Sequence, residues 1–144
     1  MNLRSKTYTY STTVRWTERK IGSISAAGKP DIQVATPPEF KGHEGIWSPE
    51  DLFVASANIC LMTTFLAFAE RAGLAFTAYE SEAEGRLELV EGTFQFTTIT
   101  LKPKLTLTPQ GDAGQAKEIL EKAEAACLIS NSMKCPVRLE PTIV

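Results

Sequence analysis

The chain has 144 residues, of which 43% are hydrophobic and 22% charged, and its formal net charge is −2. These values are typical of a soluble globular protein long enough to bury one core, so we expect a single domain spanning 1–144. A weakly acidic chain without a basic block argues against nucleic-acid binding. Three cysteines and no secretory signal at the amino terminus lead us to expect a cytoplasmic protein with free or redox-active thiols.

The first third of the sequence predicts an antiparallel meander of three short strands. Aromatic and β-branched residues alternate with polar ones, and polar or glycine-containing turns separate the segments. The predicted strands cover 6–16, 21–26 and 31–35. The irregular segment that follows, 36–47, holds the single histidine, His43.

Residues Ser48 to Gly73 predict one long buried helix. Ser48 and Asp51 can form a capping box, Pro49 suits the first helical position, and Gly73 suits the left-handed turn that ends helices. Apolar side chains point in every direction around the axis, which is typical of a buried helix. Polar residues such as Asn58 interrupt the apolar run, so we expect the core helix of a soluble protein and no membrane span.

The remaining sequence predicts two strands, an amphipathic helix that begins near Asp112, and a final strand. Pro103, in the second of these strands, suggests an edge position or a bulge. The predicted strands cover 76–89, 94–107 and 136–144. The order β-β-β-α-β-β-α-β defines an α+β fold, with antiparallel sheets packed around the central helix. Because a helix without a polar side needs cover all round, we expect an obligate homodimer.

Common catalytic motifs are absent from the sequence. We find no zinc-ligand spacing, no phosphate-binding glycine loop and no GxSxG motif. Glu50 and Asp51 are adjacent and diverge around the helix, so they do not form a paired-carboxylate site. His43 could serve a Cys–His hydrolase only if a thiol lay close to it, which the sequence does not establish.

The thiols are the remaining candidates for chemistry. Cys60 lies in the middle of the long helix, and Cys127 and Cys135 lie near the carboxyl terminus. Taken by itself, Cys60 is either a small packing residue or a thiolate stabilised by an arginine from elsewhere in the fold. Cys135, at the start of a strand, is expected to be structural.

Three motifs, in chain order, resemble those of the OsmC/Ohr family of thiol-dependent hydroperoxide reductases. Arg19 lies in the first β-turn, a dozen residues before the third strand. Glu50 opens the central helix, and Cys60 follows it by ten residues. Cys127 precedes a Ser130-Asn131 pair, which is similar to a Cys-Pro-x-Ser-Asn motif of the family.

The resemblance implies an OsmC-like fold, an intertwined homodimer and a thiol peroxidase without metal or organic cofactor. Cys60 would attack the peroxide and become a sulfenic acid, and Cys127 would resolve it as a disulfide that an external dithiol reduces. Arg19 would lower the pKa of Cys60 and stabilise the departing alkoxide, and Glu50 would hold the guanidinium. An apolar lining would receive the hydroperoxide, with Phe53, Ile59, Met62 and Phe65 as candidates.

Helix geometry suggests that the sites are shared between subunits. Ten residues place Glu50 and Cys60 about 15 Å apart along one helix, so one guanidinium cannot easily contact both. We therefore expect Arg19 and Glu50 to act on Cys60 of the partner subunit. Leu128, where the family often has proline, and the additional thiol of Cys135 leave the preferred hydroperoxide open. The alternatives are a non-catalytic dimer that binds a small apolar ligand and a thiol redox sensor without rapid turnover.

Overall fold

In a computed structural model, which describes residues 6–144, the chain divides into two units at Leu52. The first unit contains an antiparallel sheet in the order β1-β2-β3, which confirms the predicted meander. Its strands are β1 (Thr13–Glu18), β2 (Ile21–Ser25) and β3 (Ile32–Ala35). The prediction of a strand beginning at residue 6 was wrong. Because β2 ends at Ser25, opposite Thr13, the residues before Thr13 have no strand to pair with.

One face of this first sheet is apolar and uncovered. The strand register places Val14 and Trp16 of β1 on the same face as Ile24, Ile32 and Val34. Val14 is 69% exposed and Trp16 is 74% exposed. After β3, a single 3₁₀ turn (Pro38–Phe40) leads through a loop to the long helix.

Helix α1 (Pro49–Ala72) has the caps that the sequence predicts. The backbone N–H and the hydroxyl of Ser48 both donate to Asp51 Oδ2, at 3.0 and 2.9 Å, and the Asp51 N–H donates to Ser48 Oγ at 3.1 Å. Gly73 has φ 66°, and the N–H groups of Gly73 and Leu74 donate to the Glu70 and Ala69 carbonyls. This is the Schellman arrangement, so both ends of the helix are fixed by local contacts.

Only one side of α1 is buried within this chain. The buried residues recur at helical spacing: Ala57, Cys60, Leu61, Phe65 and Ala69. On the other side, Ile59 is 56% exposed and Leu66 is 40% exposed, so one chain does not provide the cover that we expect all round the helix. Among the described residues, α1 is the one helix long and apolar enough to cross a membrane, a test that core helices of soluble proteins also pass.

The second unit contains a mixed sheet. β4 and β5 form a hairpin closed by Glu91 and Gly92, which both have positive φ, as a type I′ turn requires. Its elements are β4 (Phe76–Val90), β5 (Thr93–Leu107), α2 (Ala113–Ala126), α3 (Leu128–Asn131), β6 (Val137–Leu139) and β7 (Thr142–Ile143). β6 and β7 pair with β5 in parallel, because α2 and α3 provide the crossover that parallel pairing needs. The predicted final strand is therefore two short strands, and this sheet is not purely antiparallel.

Pro103 lies in an interior strand, so the predicted edge position or bulge was wrong. Strand β5 lies between β4 and the β6/β7 pair, and its register with β4 is continuous at Ser81–Pro103. β6 pairs as far as Leu101 and β7 pairs from Lys104. Pro103 thus occupies the break between β6 and β7, where the ladder needs no N–H donor.

Helices α1 and α2 pack on one face of the second sheet. The core joins Leu61 and Phe65 of α1, Ile99 and Leu101 of β5, and Leu120 of α2. Burial of each such side chain contributes about 1.5–3 kcal/mol. The opposite face of the sheet is polar. Because Cys60 lies on the buried side of α1, this packing turns its thiol toward the end of α2.

Candidate active site

The thiols of Cys60 and Cys127 lie side by side in the second unit. Cys60 is 8% exposed and Cys127 is fully buried, and both cysteines are free. The Cys127 thiol donates a hydrogen bond to the Cys60 sulfur, and the Thr64 hydroxyl lies 3.9 Å from the same sulfur, one helical turn along α1. Packing of α1 against the α2–α3 segment therefore brings two sulfur atoms together.

The surroundings of Cys60 favour its thiolate. Burial raises the pKa of the Cys60 thiol, but hydrogen bonds to the sulfur outweigh burial and lower the pKa overall. Besides Cys127 and Thr64, the donors are the backbone N–H groups of Ile129 and Leu128. These groups belong to the first turn of α3, where N–H groups have no partner inside the helix. A negative charge on Cys60 is thus stabilised without any basic side chain from this unit.

The pKa of Cys127 is shifted in the opposite direction. Burial and the neighbouring Cys60 sulfur raise the pKa of the Cys127 thiol, and the hydroxyl and backbone N–H of Ser130 offset this only in part. Of the two thiols, Cys60 therefore ionises more readily than a free cysteine and Cys127 less readily.

Cys127 is fixed at the junction of two helices. Its N–H donates to the Glu124 carbonyl at the end of α2, at 3.1 Å, and its own carbonyl accepts from the Asn131 N–H at 3.0 Å. Sequence analysis did not predict α3, although the Ser130-Asn131 pair marks its place in the chain. The short helix matters because it turns two backbone N–H groups toward Cys60.

Arg19 and Glu50 belong to the first unit, where they do not form the predicted ion pair. Arg19 has φ 50°, a left-handed conformation that few non-glycine residues adopt, and Trp16 Nε1 donates to its carbonyl at 2.9 Å. The three ion pairs among residues 6–144 include neither Arg19 nor Glu50. Glu50 Oε1 is buried without a hydrogen-bond donor. Within one chain, the Glu50 carboxylate thus lacks the donor that an arginine could supply.

The OsmC-like protein family matches residues 42–142, a segment that includes Glu50, Cys60 and Cys127. The chain belongs to the OsmC-like protein family. Peroxiredoxin OsmC of Escherichia coli K12 is 30% identical over 101 residues, which cover 70% of this chain and 69% of that protein. The uncharacterised protein YmaD of Bacillus subtilis is 28% identical over 123 residues, which cover 83% of this chain and 81% of YmaD.

A solved OsmC-like structure confirms the expected fold. The OsmC-like protein of unknown function from Vibrio cholerae superposes with a TM-score of 0.86 at 22% identity, over 94% of this chain and 99% of that chain. The OsmC-like family is linked to hydroperoxide resistance and oxidative stress. Arg19 lies outside the segment that the family matches.

The four residues predicted to line an OsmC-like substrate pocket lie in different environments. Phe65 is fully buried and stacks on Tyr79, with ring centroids 5.2 Å apart, so it is part of the core. Phe53 and Ile59 are exposed, and Met62 is half-buried. Contact of these side chains with a hydroperoxide stays a prediction.

The two other candidate residues, Cys135 and His43, have their own surroundings within their units. Cys135 belongs to the hydrophobic core of the second unit. His43 lies in the loop before α1, and its backbone N–H donates to the Thr36 carbonyl at 2.9 Å. Within residues 6–144, no group of three His, Cys, Asp or Glu side chains is arranged to hold a metal ion.

Two side chains near the Cys60–Cys127 pair were not predicted from the sequence. Thr64 contacts Cys60, and Glu124 lies near Ser130, which in turn lies near Cys127. Thr64 follows Cys60 by one helical turn, a spacing that could have pointed to it. Glu124 falls among the charged residues of an amphipathic helix, a pattern that indicates a solvated face.

Proposed function

We propose that the protein is a thiol-dependent peroxidase that reduces hydroperoxides to alcohols. The observation that carries this proposal is the contact between the Cys60 and Cys127 thiols, with opposite pKa shifts. The Cys60 thiolate attacks the distal peroxide oxygen, and the O–O bond breaks. The departing alkoxide takes a proton and leaves as an alcohol, so the peroxide is reduced by two electrons and Cys60 becomes a sulfenic acid.

Cys127 completes the proposed oxidative half of the cycle. Its sulfur attacks the sulfenic sulfur of Cys60, the S–O bond breaks, and the hydroxide leaves as water. The resulting disulfide is returned to two thiols by an external dithiol, which is oxidised in exchange. The reaction needs no resident cofactor, because the thiols supply both electrons. The name of the peroxiredoxin relative from E. coli supports this assignment.

We propose that the active form is a soluble cytoplasmic homodimer. Two apolar surfaces support this assembly: the first sheet exposes Val14 and Trp16, and α1 exposes Ile59 and Leu66. A second copy of the chain offers surfaces of the same kind, as two-fold symmetric dimers require. In this dimer, Arg19 and Glu50 act on Cys60 of the partner subunit, and the buried Glu50 oxygen that lacks a donor accepts from the guanidinium.

Titration of the reduced protein with cumene hydroperoxide and with hydrogen peroxide tests the proposal, with thiol loss and disulfide mass as readouts. Wild-type protein should consume the hydroperoxide rapidly and form one Cys60–Cys127 disulfide. Cys60→Ser should abolish consumption, and Cys127→Ser should react once and then stall as a sulfenic acid. Cys135→Ser is the matched control, because this cysteine is also buried but lies in the core.

Two results would argue against the peroxidase. Turnover that persists in Cys60→Ser would exclude Cys60 as the nucleophile. Slow, stoichiometric oxidation of the wild type by both peroxides would favour a thiol redox sensor over an enzyme.

A further inference from the structure

A group of buried polar side-chain atoms lies next to Cys127. The Ser130 hydroxyl lies near both the Cys127 sulfur and the Glu124 carboxyl group and lowers the pKa of each. Ser130 Oγ and Glu124 Oε2 are both buried, and neither makes a hydrogen bond of ordinary geometry. Buried polar atoms are normally paired, so such a group within reach of a reactive sulfur calls for a functional explanation.

Backbone contacts hold the members of this group in place. The carbonyl of Glu124 accepts from the Cys127 N–H at 3.1 Å, so the carboxyl group and the thiol leave the chain close to one another. The Asn131 side-chain amide donates to the Ala125 carbonyl at 3.1 Å and ties α3 to the last turn of α2. Ser130 is therefore held near both Glu124 and Cys127.

We propose that Glu124 is a positioning residue that accepts the proton of Cys127, through the Ser130 hydroxyl, when the disulfide forms. The inference rests on the proposed peroxidase cycle, because Cys127 needs to lose its proton only when it attacks an oxidised Cys60. Before oxidation, the Cys127 proton is shared with the Cys60 sulfur. After oxidation, the Cys60 thiolate no longer exists as an acceptor, and Ser130 is the neighbouring group that can take over.

The proton balance of the step closes within the site. Cys127 gives its proton to the Ser130 oxygen while the Ser130 hydroxyl passes its own proton to the Glu124 carboxylate. The Cys127 sulfur then bonds to the Cys60 sulfur, the S–O bond of the sulfenic acid breaks, and hydroxide leaves. The hydroxide takes up one proton, which returns Glu124 to its carboxylate, so the net products are a disulfide and water.

The surroundings of Glu124 suit a proton acceptor. Burial raises the pKa of Glu124, and the Ser130 hydroxyl offsets this only in part. Tyr79 of β4 also faces Glu124, but burial raises the pKa of Tyr79 to about 12, so its hydroxyl stays neutral. A carboxyl group with a raised pKa is a stronger base, and it accepts protons only above that pKa. Disulfide formation should therefore slow as the pH falls through a value above the ordinary carboxyl range.

Rapid-quench mass spectrometry over a range of pH tests the relay, because it measures sulfenic acid formation and disulfide formation separately. Glu124→Gln and Ser130→Ala should leave the first step unchanged and slow the second about tenfold at neutral pH, below the usual contribution of a direct acid–base group. Both variants should also lose the acidic limb of the pH profile. The matched control is Glu121→Gln, an exposed glutamate on the same helix.

A second oxidant, diamide, tests the relay independently of the peroxidase proposal. Diamide accepts the Cys60 thiolate at its N=N bond, and Cys127 then displaces the hydrazine to give the same disulfide. If peroxide is not consumed but Glu124→Gln slows this displacement, the peroxidase proposal fails and the relay stands. If Glu124→Gln matches wild type with both oxidants, or slows the step equally at every pH as a structural defect would, the relay is overturned.

Discussion

The Cys127 thiol donates a hydrogen bond to the Cys60 sulfur; this bond acts against burial to lower the pKa of Cys60 and adds to burial in raising the pKa of Cys127. When two neighbouring titratable groups have pKa values shifted in opposite directions, each is suited to a different role in the reaction. In the proposed cycle, the sulfur with the lowered pKa, Cys60, reacts with the peroxide first, and Cys127 is held for the second step.

The rate at which Cys60 reacts with cumene hydroperoxide should depend on pH with a midpoint below that of free cysteine. The thiolate is the nucleophile, and it is lost as the pH falls through the lowered pKa of Cys60. Stopped-flow measurement of the second-order rate constant at a series of pH values checks this. A midpoint at or above about 8.5 would contradict it.

Cys127→Ala should slow the first oxidation at neutral pH, whereas Cys127→Ser should preserve most of its rate. Alanine removes the donor to the Cys60 sulfur, and serine keeps one. Loss of a hydrogen bond to a charged group costs about 1.5–3 kcal/mol, equivalent to a rise of at least about one unit in the pKa of Cys60. Thiolate absorbance and the oxidation rate measure the effect, and equal behaviour of the two variants would argue against it.

Trp16→Phe should lower the rate of Cys60 oxidation about fivefold, the equivalent of one neutral hydrogen bond of about 1 kcal/mol. The indole N–H holds the carbonyl of Arg19, whose left-handed conformation sets the direction of its side chain. Trp47→Phe is the control, since Trp47 is also exposed. If the two variants oxidise at the same rate, the Trp16 contact does not position Arg19.

Leu66→Asp should dissociate the proposed homodimer into monomers, because it places a charge on the uncovered apolar side of α1. Leu89→Asp, at an exposed leucine near the β4–β5 turn, should leave the assembly intact. Analytical ultracentrifugation of both variants and wild type at one protein concentration measures the oligomeric state of each. A monomeric wild type would refute the dimer.

Ser48→Ala should lower the free energy of unfolding by about 1 kcal/mol, because it removes the hydroxyl that caps α1. Ser56→Ala, in the interior of the same helix, should have a smaller effect, since its hydroxyl bonds back to the Phe53 carbonyl. Urea denaturation at fixed protein concentration measures both. A loss from Ser56→Ala as large as that from Ser48→Ala would show that the cap is not the cause.

The features predictable from sequence are those fixed by neighbouring residues. The caps of α1 depend on Ser48, Asp51 and Gly73, which act within one turn of the chain. The β4–β5 turn is likewise determined by neighbouring residues, Glu91 and Gly92.

The features that sequence analysis missed depend on distant partners. Tyr8 and Tyr10 have the alternation of a strand, but no strand lies opposite them. Parallel pairing of β6 with β5 requires the long crossover through α2 and α3. No local sequence pattern predicts this pairing. The same distinction applies to the residues of the site. Family motifs identified Cys60 and Cys127 from the sequence, whereas the position of Glu124 near Ser130 depends on how α2 ends in the folded chain.

The complete burial of Cys127 has a consequence for the return half of the proposed cycle. In a disulfide, attack on the Cys127 sulfur releases Cys60, which is the better leaving group because its pKa is lower. A dithiol reductant is too bulky to reach a sulfur that has no exposed surface. We therefore expect its access to depend on transient opening of the four-residue helix α3, and local unfolding to limit the reducing half of the proposed cycle.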